Sequence, residues 1–241
     1  MRKRRRRWWR WGTAAGVMLL LGAALTAWLM FQHIPSWYQP MEIARADLQR
    51  VRDDFVATFD GLTLAMASAD RPFDYTFTQD QINAWLAARE EMWPLSREWL
   101  GPLMSDPFVA IDRAGIRLGA TYRQDGVQTV ASARVELQAR SDGVAVRLTE
   151  VAGGSLRVPQ TWIRPELAKL DRTVWPAGER SKHQVGPGRL PALSELFEGA
   201  VFPSAWRWNN PRRSFRISNL KLQDGALVVT FDPDPLHAPN R

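Results

Sequence analysis

The chain has 241 residues, no cysteine and a formal net charge of +7. No disulfide, thiolate nucleophile or thiolate metal site is open to it. Seven basic residues, Arg2, Lys3, Arg4, Arg5, Arg6, Arg7 and Arg10, precede Trp11, and without them 25 basic residues face 25 acidic ones. The remaining sequence therefore has no electrostatic case for binding nucleic acid.

Residues 1–10 form a basic segment predicted to stay in the cytoplasm. From Trp11 to Pro40 there is no Asp, Glu, Lys or Arg, and the apolar stretch 11–34 exceeds the roughly 20 residues that cross a bilayer core as a helix. The basic cluster orients such a helix with its N-terminus inside. Trp8, Trp9 and Trp11 flank one end and Trp37 and Tyr38 the other, so these rings, with Arg4, Arg5 and Arg6, are the predicted membrane-interface residues. A cleaved secretory signal is the competing reading, given Ala23, Ala24 and Ala27. Against it, Leu25 holds the minus-three place for cleavage after Ala27, and the apolar run continues to Ile34. Either way residues 41–241 are expected to be exported.

Residues 41–69 repeat Ala44, Leu48, Val51, Phe55, Phe59, Leu62 and Met66 at helical steps, which predicts a long helix with a core-facing stripe. The same stripe offers a route to self-association or to a membrane complex. Phe73, Tyr75 and Phe77 alternate with polar residues as a short strand does, and Thr78 with Gln81 has capping-box spacing. The helix so opened carries Ile82, Trp85, Leu86 and Met92, and a second segment around Trp99, Leu100 and Leu103 is expected to end before Pro107. Together these make a helical subcluster, residues 79–104.

Residues 116–158 change to period two. Ile116, Leu118, Ala120 and Tyr122 are the predicted core face of one strand, with Arg117, Gly119, Thr121 and Arg123 facing water. Two more strands follow through Asp-Gly turns at residues 125 and 142, and Gly153-Gly154 turns again, giving an antiparallel meander. Thr161 to Leu170 reads as a short helix. Residues 173–208 are rich in loop signals, and Phe215 to Phe231 form a last hairpin around Asp224-Gly225.

No chemistry stands out. His33, His183 and His237 are scattered without metal-ligand spacing, no cofactor fingerprint is present, and Ser218-x-x-Lys221 falls on a predicted strand rather than a helix opening. The sharper hypothesis is apolar: a groove fringed by Phe73, Tyr75, Phe77, Trp85, Trp93 and Trp99 that takes a lipid or other hydrophobic envelope ligand. Ordinary core packing explains the same residues.

The anchor, the long helix, the opening Phe77-Thr78-Gln79-Asp80-Gln81-Ile82-Asn83-Ala84-Trp85-Leu86 and the terminal Ile217 to Phe231 hairpin together resemble bacterial membrane-anchored proteins of the YpmS kind. They are also similar to exported lipid-binding domains of tubular fold. The resemblance covers about a third of the chain and brings no catalytic residues with it. It implies a single-pass protein of the bacterial inner membrane with a periplasmic or otherwise extracytoplasmic domain. The expected fold is α+β, a transmembrane helix followed by a long helix packed on a curved antiparallel sheet. Non-catalytic binding of membrane lipid is the leading functional expectation, a structural or assembly subunit the alternative, and an envelope hydrolase a third.

Overall fold

The computed structural model describes residues 2–93, 96, 103–174, 193–202 and 214–234. Helix α1, Arg2–Gln32, contains the apolar span Thr13–Gln32, none of whose most apolar window is buried. It is long and apolar enough to cross a membrane. Residues 33–44 are non-helical, and after one 3₁₀ turn, Arg45–Asp47, helix α2 runs over Leu48–Ser68, later than the expected start at 41.

Strand β1, Phe73–Thr78, leads into helix α3, Gln79–Ala87, through the capping box that Thr78 and Gln81 complete from both sides. The short helix α4 covers Arg89–Met92. Then come β2, Met104–Asp112; β3, Gly115–Gln124; β4, Val127–Arg140; β5, Gly143–Gly153; and β6, Leu156–Arg157. Helix α5 spans Gln160–Val174, and a 3₁₀ segment, Leu193–Phe197, precedes β7, Ala200–Phe202. The closing hairpin is β8, Ser214–Gln223, with β9, Ala226–Asp234.

The single curved sheet expected under a long helix is not what forms. The strands make two open sheets, one ordered β1-β9-β8 and the other β2-β3-β4-β5-β6, with β7 also on β5. Neither curls into a closed or tubular shape. The long helix packs on the smaller sheet and not on the meander. Leu62 and Met66 of α2 meet Phe215, Val229 and Phe231, with Phe73, Tyr75 and Phe77 around them. Val51, nearer the start of α2, packs with Trp85 and Ala88 against Phe55, Phe59 and Ile82. Each such side chain contributes about 1.5–3 kcal/mol when withdrawn from water, so the stripe's apolar face is occupied within the chain.

Helix α3 is bonded to the larger sheet through polar side chains. Asn83 is 2% exposed, and its side chain donates to the Val109 carbonyl at 2.8 Å while accepting from the Val109 amide at 2.7 Å. Gln79 accepts from the Ile111 amide at 2.8 Å. Helix α3 thus covers the outer edge of β2, an edge that would otherwise present unpaired backbone groups.

Strand β2 itself was unexpected, since Pro107 argued for a break. It is accommodated by a register shift between Ser105 and Phe108, with Asp106 at φ 53. The faces of β3 also differ from expectation. Leu118 is 42% exposed, whereas Thr121 on the supposed wet face is 4% exposed. The reason is Trp37 and Tyr38, which lie over that second face so closely that a Cβ on Gly119 would stand 2.8 Å from the Trp37 ring and 2.9 Å from that of Tyr38.

Candidate functional site

The aromatic residues proposed to fringe a groove are found packed on one another. Phe73 stacks on Phe231 at 5.5 Å, the Tyr75 hydroxyl donates to the Thr58 carbonyl at 2.6 Å, and Phe77 lies 6.5 Å from Phe59. Trp85 meets Phe55 edge-on at 5.2 Å and donates its indole N–H to Asp54 at 3.2 Å. Trp93 rests edge-on against Phe55 at 4.9 Å. Trp99 lies outside the described residues, as does most of 173–208. Phe73, Tyr75, Phe77 and Trp85 belong to the core clusters around α2, and Trp93 is 37% exposed.

Of the predicted interface residues, Arg4, Arg5, Arg6, Trp8 and Trp9 fall on the helical backbone of α1, and Trp11 is 70% exposed. Trp37 and Tyr38 sit instead on the larger sheet, where Tyr38 forms a buried cluster with Phe108 and Val130. Its hydroxyl donates to the Asp106 carbonyl at 2.6 Å and shares a hydrogen bond with Thr121 at 2.8 Å. Burial pushes the phenol above its ordinary pKa.

The join between α1 and this sheet is made at the last carbonyls of the helix and at His33. The Thr129 hydroxyl donates to the Phe31 carbonyl, the Ser155 amide donates to the Met30 carbonyl at 2.8 Å, and the Ser155 hydroxyl hydrogen-bonds the His33 ring at 2.7 Å. Carbonyls that a helix C-terminus leaves without partners are thereby satisfied by β4 and by the turn after β5. Gly154 has φ +59, and a Cβ there would stand 2.6 Å from the Met30 oxygen and nearer still to that of Phe31. Only glycine fits between turn and helix. In the row of partners that includes Thr129, Tyr122 and then Met104 follow across β3 and β2, and the neighbouring Leu103 is 42% exposed.

Beside this join is a cavity of ≈ 210 Å³ whose lining includes Pro35, Trp37, Gly154 and Ser155 together with Arg117, Arg134, Glu150 and Arg157. Arg117, Arg134 and Glu150 are directly opposite one another across β3, β4 and β5. Asp112 accepts from Arg117 at 3.1 Å and from Arg134 at 3.4 Å, while Arg157 pairs with Glu150 at 2.9 Å. Arg117 also lies over the Trp37 ring, 5.9 Å from its centroid.

The alternation places Arg117 on a water-facing side, because the residues that turn that face into a cavity, Pro35 and Trp37, are far away in sequence. Among the described residues no group of three or more His, Cys, Asp or Glu could hold a metal ion. Ser218, of the Ser-x-x-Lys spacing, donates to the Thr230 carbonyl within its own hairpin at 3.3 Å. Comparison with known proteins finds no family model that matches the chain and no curated protein similar enough to be called a relative.

Proposed function

We propose that this is a single-pass membrane protein whose α1 crosses the cytoplasmic membrane with the basic segment inside, and whose extracytoplasmic domain works non-catalytically against the lipid surface. The observation that carries the reading is the join itself. With Met30 and Phe31 carbonyls bonded into the larger sheet, the apolar span and the sheet are held as one piece with no slack tether between them.

The end of the sheet at which α1 joins then rests at headgroup level, since a span of 20 residues covers about 30 Å, the thickness of the hydrocarbon core. That end presents exposed Leu103 and Met104, and Trp162 on α5, 72% exposed, follows Ser155 by only a few residues. Tryptophan and apolar side chains of this kind suit the interfacial zone. The closed packing of Phe73, Tyr75, Phe77 and Trp85 favours contact with lipid at this surface over an acyl-chain groove.

The absence of cysteine makes a clean test possible. Spin labels are attached to single cysteines at Gln128, beside the join, and at Asp142, at the far end of β4, in the full chain reconstituted in vesicles. Membrane-bound relaxation agents should broaden the first and leave the second unaffected, since the two sites are separated by about 3.3 Å per strand residue. Equal accessibility at both sites would refute the fixed pose, and an oligomeric mass in the same preparation would favour the assembly role.

A further inference from the structure

We infer that the cavity beside the join is a binding site for a phosphate-bearing anion, supplied in the first place by a lipid headgroup. This rests on the surface pose proposed above for the source of the anion, and on the cavity alone for its chemistry. Three guanidinium groups, Arg117, Arg134 and Arg157, and one carboxylate, Glu150, line it. The one further carboxylate in contact, Asp112, is shared between Arg117 and Arg134. Three positive charges therefore meet two negative ones, and a guanidinium pair held by a single carboxylate keeps donors to spare.

A second observation points the same way. Arg117 Nε is buried and has no hydrogen-bond partner among the described residues. A buried N–H of a charged group left unpaired costs free energy, so this guanidinium keeps unspent donor capacity beside the cavity. Stacking on Trp37 holds that guanidinium in place, and Arg134, with a side chain 24% exposed, is partly withdrawn from competing water.

The position selects the phosphate. Pro35, Gly154 and Ser155 wall the cavity directly beside the last carbonyls of α1, where the phosphates of a bilayer lie just outside its hydrocarbon. Those carbonyls repel an anion only weakly, because Ser155 and Thr129 already donate to them. Guanidinium groups recognise phosphate oxygens through paired N–H donors, which a neutral lipid does not offer a use for.

The test is native mass spectrometry of the full chain released from micelles, with phosphatidylglycerol, with a diacylglycerol of the same chains, and with inorganic phosphate as competitor. The expected result is retention of one phosphatidylglycerol, no retention of diacylglycerol, and about a tenfold loss of retention in Arg134→Gln. Arg157→Gln, at a side chain 79% exposed, should weaken retention without disturbing the fold. Phosphatidylglycerol displaced by millimolar inorganic phosphate would keep the anion chemistry and overturn the lipid as its source. Equal retention of diacylglycerol, or unchanged retention in both variants, would overturn the site. The spin-label depths are independent of all these outcomes, so a failed pose and a failed anion site are told apart.

Discussion

Asn83 and Val109 are paired as two adjacent strands would be: one carboxamide makes both hydrogen bonds to one residue's backbone, at 2.8 and 2.7 Å. A helix side chain thus ends a sheet. Asn83→Leu, close in size and unable to make either bond, leaves the Val109 amide and carbonyl buried without partners. The expected loss is about 2–4 kcal/mol, read by thermal or denaturant unfolding of the full chain in mild detergent. A loss under about 0.5 kcal/mol would mean that water replaces the carboxamide at this edge.

Gly154→Ala strains a positive φ and drives a methyl group into the Met30 and Phe31 carbonyls. The turn has to withdraw, at a cost of about 1–3 kcal/mol. Limited proteolysis should then cut between residues 32 and 40 about tenfold faster, matching about 1.4 kcal/mol of easier opening. Wild-type cleavage rates in the variant would show that the join is not what protects this segment.

Tyr38→Phe removes both hydroxyl contacts of the buried ring and should cost about 1–2 kcal/mol at neutral pH. Because burial raises the Tyr38 pKa in the folded state, the folded chain holds the phenolic proton more tightly than the unfolded one. That contribution is complete below the unfolded value of about 10 and disappears as the pH rises through the higher folded value. Wild type should therefore lose stability above about pH 10 more steeply than Tyr38→Phe, and parallel curves would refute the buried phenol.

The two faces of the paired strands β3 and β4 offer a direct comparison. Leu118→Lys, at a site 42% exposed, should change stability by less than about 0.5 kcal/mol, whereas Val130→Ala, at 2% exposure, should cost about 1–3 kcal/mol. The reverse order in denaturant melts would restore the face assignment expected from the alternation alone.

That assignment shows what local patterning reaches and where it stops. Strands β3, β4 and β5, the capping box at Thr78 and the hairpin at Asp224-Gly225 depend on neighbours within a few residues, and each could be read. The cover over Gly119 and Thr121 of β3 depends on Trp37 and Tyr38, some eighty residues earlier, so the alternation, which Ala120 at 7% exposure follows, gave no sign that this second face is covered as well. Strand β2 hid behind Pro107, and its outer edge is bonded by Asn83 and Gln79 of a helix. Two sheets were taken for one because period two says that strands exist and nothing about which of them pair. Arg117 reads as a solvated charge, and only the register sets it beside Arg134 and Glu150.

The bonds from Ser155 and Thr129 to the last carbonyls of α1 carry a mechanical consequence. A hydrophobic helix longer than the hydrocarbon around it tilts to adjust, and a span joined to its domain in this way has no swivel in which a tilt is lost. In the pose proposed above, the sheet would turn through the same angle, raising one side of its rim from the lipid and pressing the other down. Membrane thickness would thereby be converted into torque on the folded domain.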